Sequence, residues 1–200
     1  VDFMIDVQFN MAQKEDMTVT FIEPSSYKAL YELKGMQGVA HAEVFRSTPV
    51  RLKHKHHLYK TSLSGINPSN KLHYLLDTSL KSIVMPPDGI ILTDYLAALM
   101  DISQGDIISV EVLEGNRPIY KAPVAGIVKE YIGVGGYMHI DALNRLLRED
   151  SAISGAYLTV DPLYQREIYK KLADMPRVAG VAARKDEIRN FYETQAEFFL

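Results

Sequence analysis

Asp161 to Arg184 reads DPLYQREIYKKLADMPRVAGVAAR, and Glu23 to Phe45 reads EPSSYKALYELKGMQGVAHAEVF. Setting Pro24 on Pro162 brings Leu30 onto Ile168 and Tyr31 onto Tyr169. After one inserted residue, Leu33 falls on Leu172, Met36 on Met175, Val39 on Val178 and Ala40 on Ala179. Each copy follows an apolar alternating run, Met17 to Ile22 in the first and Ala156 to Val160 in the second, then passes an acid and a proline into a helical pattern. Asp161 is a good N-cap, and Pro162 suits a first helical position, where its missing N–H costs nothing. Tyr164, Ile168 and Leu172 recur four apart and put one stripe toward a core. Val39 to Phe45 and Val178 to Ala183 then supply a second strand to each copy. Both copies therefore predict strand, helix, strand, the unit of parallel neighbours or of a split sheet. If the copies pair, the two chain ends come together.

Working outward from the repeat, the intervening hundred residues predict mostly strands. Thr48 to Ile66 predicts a hairpin whose basic tip lies near His54 to His56, although no Asn-Gly or Asp-Gly marks the turn. Asn67 to Asn70 is a turn, Lys71 to Met85 is undecided, and Pro86 to Gly89 ends it. Ile90 to Leu92 is a short buried strand, Thr93 an N-cap, and Leu96, Leu99 and Met100 the apolar side of a two-turn helix. Ile107 to Leu113 and Ile119 to Val128 form a hairpin about a Gly-Asn turn, with Pro118 and Pro123 pointing to an edge or a bulge. Gly133, Gly135 and Gly136 predict a loop before Tyr137 to Ile140, and Asp141 is expected to cap a helix with Leu143, Leu146 and Leu147 facing inward. The expected fold is α+β: a porter-like α/β part from residues 1–49 and 150–200, split by a β-rich insertion over 50–149.

Composition bounds the function. The 47% apolar content over 200 residues is enough to bury roughly 70% of the unfolded surface. A formal charge of −3 argues against nucleic acid as a partner, and the absence of cysteine excludes disulfides and thiolate chemistry. No run of eighteen apolar residues is present, yet Val1 to Met11 and the closing Phe198, Phe199 and Leu200 are apolar, so the chain reads either as a fragment continuing toward membrane or as having ordinary docking segments at its ends.

No catalytic residue, cofactor site or metal site emerges. His54, His56 and His57 could supply two metal ligands on one strand face, but no Asp, Glu or Cys is near them in sequence, and the expectation is a solvated basic tip. Such a tip could also meet anionic headgroups or an acidic partner. The glycines at 133–136 lack the Gly-Lys-Ser/Thr of a phosphate loop, Ser64 has no G-x-S-x-G elbow, and Glu111, Glu114 and Glu130 form no pair with opposed environments. Tyr27, Tyr31, Tyr164 and Tyr169, four of twelve tyrosines, fall on the repeated helices and are expected to cover core, although some could form a protein contact surface.

Several segments together resemble the extracytoplasmic, MacB-like periplasmic core domain of FtsX-like ABC transporter permeases, the group that includes the MacB, LolC and LolE permeases. They are Pro49-Val50-Arg51, Ser64-Gly65-Ile66, PPDGIILTDYLAALMDISQGDIISVEV from Pro86 to Val112, Val124 to Val128, Tyr137-Met138 and Ala142-Leu143. The His-rich tip departs from the glycine-containing turn of that group. The resemblance implies a non-enzymatic domain between the first two membrane helices of a four-helix permease, outside the bacterial cytoplasmic membrane on its periplasmic or extracellular side. It further implies a dimeric permease, a cytoplasmic ATPase subunit as partner, and a periplasmic adaptor or lipoprotein as a further partner. The domain would act as a lever or platform coupling ATP hydrolysis to export, lipoprotein handling or partner control. Two other readings remain open: a ligand-sensing domain of a membrane receptor, and an enzyme of unknown type.

Overall fold

A computed structural model describes residues 2–130 and 134–197. Val1 and Phe198 to Leu200, part of the apolar ends noted above, lie outside them. The chain divides into two compact units, one of residues 1–44, 71–74 and 153–200, the other of 45–70 and 75–152. The seams thus fall at Val44/Phe45 and Ala152/Ile153, a few residues from positions 49 and 150, and Lys71–Tyr74 groups with the first unit. Each unit is described in turn.

The first unit carries both copies of the repeat. A helical segment, α1 (Asp2–Ile5) continued as π-helix over Asp6–Ala12, leads to β1 (Met17–Ser25), α2 (Lys28–Lys34) and β2 (Val39–His54), whose first residues belong here. The second copy is β8 (Ile153–Val160), a 3₁₀ turn over Pro162–Tyr164, α5 (Gln165–Ala173) and β9 (Val178–Ala183), followed by α6 (Arg184–Glu197). The strand order β2-β8-β1-β9 interleaves the copies: β1 pairs antiparallel with β8 on one side and β9 on the other, so neither copy's own strands are neighbours. This is the split sheet, not the parallel one.

Equivalent positions of the two copies do equivalent jobs. Leu30 and Leu33 of α2 are buried, as are their counterparts Ile168 and Leu172 of α5. Tyr31 and Tyr169 do not cover core; they are 66% and 42% exposed. Each follows its buried neighbour by one residue, a rotation of about 100° off the apolar stripe. Tyr27 and Tyr164 are half-buried, and Tyr164 packs against the loop before β2. Gly38 there has φ +92°, and a Cβ would lie 2.4 Å from the Tyr164 Cβ. The Gly38 carbonyl accepts the Asp161 N–H at 2.7 Å, and Gln37 Nε2 donates to the Tyr164 hydroxyl at 2.9 Å. Asp161 caps as expected, its carboxylate accepting the Leu163 N–H at 2.9 Å. Glu23 and Pro24, by contrast, do not lead into the helix but extend β1. Pairing with β9 has ended at Phe21, so the N–H that Pro24 lacks is not needed.

In the second unit six strands close on themselves. They are the remainder of β2, β3 (His57–Ile66), β4 (Ile90–Thr93), β5 (Ile107–Val112), β6 (Ile119–Val128) and β7 (Gly135–His139). The pairings run β2–β3, β3–β7, β7–β4, β4–β6, β6–β5 and β5–β2, with β3–β7 and β4–β6 parallel. β6 is therefore no edge. Its irregularity is a bulge at Ala125, between partners Ile90↔Val124 and Ile91↔Gly126. The inward residues Val50, Leu52, Leu63, Ile90, Leu92, Ile108, Val110 and Val124 are all at most 1% exposed, which puts the core inside the ring. Residues Lys71–Met85 form no regular element, only the isolated bridges Gln13↔His73 and Leu76↔Ser82.

Two short helices complete this unit. α3 (Asp94–Leu99) inserts Leu96 and Ala97, while Leu99 is 46% exposed rather than buried. α4 (Ile140–Leu147) begins two residues earlier than expected: His139, not Asp141, is the cap, its Nδ1 accepting the Asp141 N–H at 3.1 Å. α4 lies on β3 where Gly65 leaves room. A Cβ on Gly65 would stand 2.9 Å from Leu143 Cδ2 and 3.0 Å from the Ile140 Cα. Leu143 is buried, and Leu146 and Leu147 are half-buried at its rim. Gly135 and Gly136 belong to β7; Gly133 lies outside the described residues.

The contact between the two copies can be tested at Gly38. Gly38→Ala must adopt a left-handed backbone and displace Tyr164, and is expected to cost about 3 kcal/mol, read as a lower urea midpoint. A loss below about 1 kcal/mol would show that this junction yields freely.

Candidate functional site

The basic hairpin tip is neutralised from within its own unit. His54 pairs with His57 across a two-residue turn in which Lys55 has φ +54°, a left-handed conformation without the customary glycine or asparagine. Lys55 Nζ donates to Asp101 at 2.7 Å, His54 Nδ1 lies 3.2 Å from the Met100 carbonyl, and His54 Nε2 is 3.6 Å from Asp106. The Lys55 hydrogen bond and charge, aided by His54 and His57, hold the Asp101 carboxyl below its usual range. The His56 and His57 rings lie 4.1 Å apart, tilted by 35°. Among the described residues no three His, Cys, Asp or Glu are placed to hold a metal ion. On the shank, Lys53 and Lys60 stay exposed and make no ion pair among the described residues.

A second cluster, not foreseen, surrounds Arg46. This side chain is 1% exposed on β2 and donates from Nε and Nη2 to the two oxygens of Glu149, each at 2.9 Å. Nη2 also reaches Glu114 at 3.4 Å, and Glu114 accepts the Thr48 hydroxyl at 3.0 Å. Burial works against the guanidinium charge, but Glu149 and then Glu114 outweigh it, and the Arg46 pKa is raised. Glu114 and Glu149 line a cavity of about 290 Å³, walled also by Pro118, Leu146 and Leu147. The other carboxylates singled out in sequence are engaged: Glu111 by Arg51 at 2.9 Å and Arg117 at 3.3 Å, Glu130 by the Tyr137 hydroxyl at 2.8 Å. Ser64 lies in β3 opposite Ser47 and Tyr137, away from any histidine in register with it.

The third cluster, in the first unit, joins the segment before β1 to the start of α6. Met17 and Ala183 are paired, so Asp16 and Arg184 flank the last rung of the β1–β9 ladder. The Arg184 N–H donates to the Asp16 carbonyl at 2.9 Å, its guanidinium lies 3.6 Å from the Asp16 carboxylate, and that carboxylate also accepts the Val160 N–H at 2.9 Å. One aspartate thus ties β1, β8 and α6. Arg184 Nη1 further donates to the Phe9 carbonyl at 3.4 Å, which brings in the π-helical segment.

Beside this tie, Glu15 and His73 are buried 3.9 Å apart, with His73 stacked on Tyr157 at 5.0 Å. Glu15 Oε2 has no hydrogen-bond partner among the described residues. Desolvation, followed by the Glu15 charge, raises the Glu187 carboxyl on α6, with His73 opposing. Glu43, also buried, accepts the Lys71 and Leu72 N–H groups at 2.7 and 2.9 Å and holds that segment against the first unit.

Neither buried-charge anchor is apparent from spacing, because Arg46 meets residues 68 and 103 positions away. The available signal is Glu43 and Arg46 within the otherwise apolar AHAEVFRSTPV, since charges inside a buried run require partners.

Removing Glu149 strands a buried guanidinium, whereas Glu114 is a longer, more exposed contact. Glu149→Ala is therefore expected to cost about 2–3 kcal/mol in chemical denaturation, and Glu114→Ala under about 1. Equal losses would refute the ranking. A raised Glu187 pKa means that its charged form disfavours the folded state. The penalty is absent below the ordinary value of 4.5 and grows as pH rises through the raised one. Because Glu187 is exposed, the effect is small: Glu187→Gln should raise the melting temperature slightly at pH 7 and leave it unchanged at pH 4, as thermal melts at both values would register.

No protein-family model and no curated relative matches the sequence. Solved structures do match in fold. The extracellular domain of the noncanonic ABC-type transporter YknZ from Gram-positive bacteria is 14% identical, with TM-score 0.54, over 78% of this chain and 90% of that one. The periplasmic region of MacB from Actinobacillus actinomycetemcomitans is 11% identical, with TM-score 0.54, over 92% of this chain and 95% of that one. At such identities the likeness is one of fold: this chain has the α+β fold of the extracytoplasmic regions of these two ABC transporters.

Proposed function

We propose that this chain is the extracytoplasmic domain of an ABC transporter permease, on the periplasmic or extracellular side of a bacterial cytoplasmic membrane. In the full-length, dimeric permease it transmits movement driven by a cytoplasmic ATPase and carries out no reaction of its own. Its load is export, lipoprotein handling, or control of an adaptor or other partner. The observation that carries this reading is the pairing of Met17 with Ala183. Helix α6 leaves the sheet directly after Ala183, the N-terminal helical segment reaches Met17 through residues 13–16, and Arg184 bonds both Asp16 and Phe9 of that side, so a displacement of either helical segment enters the sheet at this rung. The fold shared with extracytoplasmic regions of two ABC transporters supports the same conclusion. No helix among the described residues is long and apolar enough to cross a membrane, and the membrane part of the proposal belongs to the full-length protein.

The test uses the full-length protein in lipid nanodiscs with the ATPase encoded beside it. Spin labels at Lys60→Cys on the two copies of a dimer should report a distance distribution that differs between ATP-trapped and nucleotide-free states. Identical distributions, with ATPase activity intact, would sink the lever reading. One membrane segment joined to a signalling module would instead make the chain a receptor's sensing domain.

A further inference from the structure

Where β9 runs without a loop into α6, the first unit holds a cavity of about 460 Å³ between the starts of α5 and α6. Its cationic walls are Arg166 from α5 and Lys185 from α6, both exposed and neither in an ion pair among the described residues. Gln165 and Tyr169 add an amide and a phenol on the α5 side. The one carboxylate in the lining, Asp186, is paired with Arg189 at 2.8 Å, so cations outnumber it in the lining two to one. Lys170, one helical turn beyond Arg166, is exposed and likewise makes no ion pair among the described residues. The inner lining is apolar: Met17 and Ala183 are 1% and 7% exposed.

We infer that this cavity binds a phosphate-bearing anion, its oxygens held by Arg166 and Lys185 and hydrogen-bonded by Gln165 and Tyr169. Two cations and two neutral donors suit the three or four oxygens of a phosphate better than the two of a carboxylate. The volume exceeds what a bare ion needs, and the apolar floor can take the carbon skeleton of a glycerophosphate headgroup. A lipid as the source rests on the permease reading, which puts the start of α6 near a membrane; free phosphate or a soluble phosphate ester shares the chemistry. On an anionic bilayer, each basic residue near the surface adds appreciably to attraction, so the pair is enough to be read out.

The 200-residue chain is mixed with phosphatidylglycerol vesicles, with phosphatidylcholine vesicles and, separately, with inorganic phosphate. Vesicle flotation and amide chemical shifts at Tyr169 and Lys185 are followed. Flotation with phosphatidylglycerol alone, about tenfold weaker in Arg166→Glu/Lys185→Glu and unchanged in Lys34→Glu, establishes a headgroup site. Saturable shifts with phosphate, abolished by the double reversal and unaccompanied by flotation, establish the site with a soluble ligand. The inference is overturned if neither probe binds the wild-type chain, or if the double reversal, shown folded by its dispersion of amide resonances, binds as well as wild type. The assay contains no ATPase and no full-length permease, so a negative result leaves the permease reading standing.

Discussion

The structure depends on β1 being hydrogen-bonded on both sides by strands from the far end of the chain. β8 and β9 flank it, so the first copy of the repeat has no sheet of its own and neither does the second. A half-sheet of this size leaves an apolar face and a row of backbone donors open, and two such halves satisfy each other. Joining the halves has a geometric by-product. The segments before Met17 and after Ala183 must emerge at the same rung, and Asp16 and Arg184 fix them there. The mechanical reading follows from that coincidence and not from any reactive group.

The two units manage their strand edges differently. The second closes into a ring and removes its edges; the first stays open, and β9, with Val178 to Ala183 uncharged throughout, is its outer strand. Both units use a buried charge near the place where the chain passes from one to the other. Glu43 gathers backbone N–H groups of the 71–72 segment, while Arg46 gathers Glu114 and Glu149. Three residues apart on one strand, they point to opposite faces, and each finds its partners inside its own unit. An apolar pair of similar size could fill the same space, but would not select those particular loops.

Much of this order was legible in the sequence. Leu30 and Leu33 against Ile168 and Leu172 identified the repeated helices because burial leaves a periodic trace. Gly89 to Val112 was readable as strand, helix, turn and strand because each step has a local cause: glycine, threonine, aspartate, alternation. Tyr31 and Tyr169 were misjudged because an amphipathic ring fits either side of a helix boundary, and one residue of rotation decides which. His139 displaced Asp141 as a cap because an imidazole nitrogen can accept an N–H two residues on, here that of Asp141, as a carboxylate would. Arg46 with its glutamates, and the cavity between Arg166 and Lys185, depend on residues brought together only by the folded chain. Local pattern carries no record of such meetings.

The interleaved repeat also governs the order in which the protein can form during synthesis. Residues 45–152, but for the short 71–74 segment, emerge from the ribosome as one stretch that holds every strand pairing of the ring. Met17 must wait for Ala183. β1 is therefore made long before β8 and β9, its partners on either side, and theirs is the kind of long-range pairing that slows folding and leaves apolar strands exposed. A ring that closes before β8 and β9 emerge takes residues 45–152 out of the competition for the two open edges of β1.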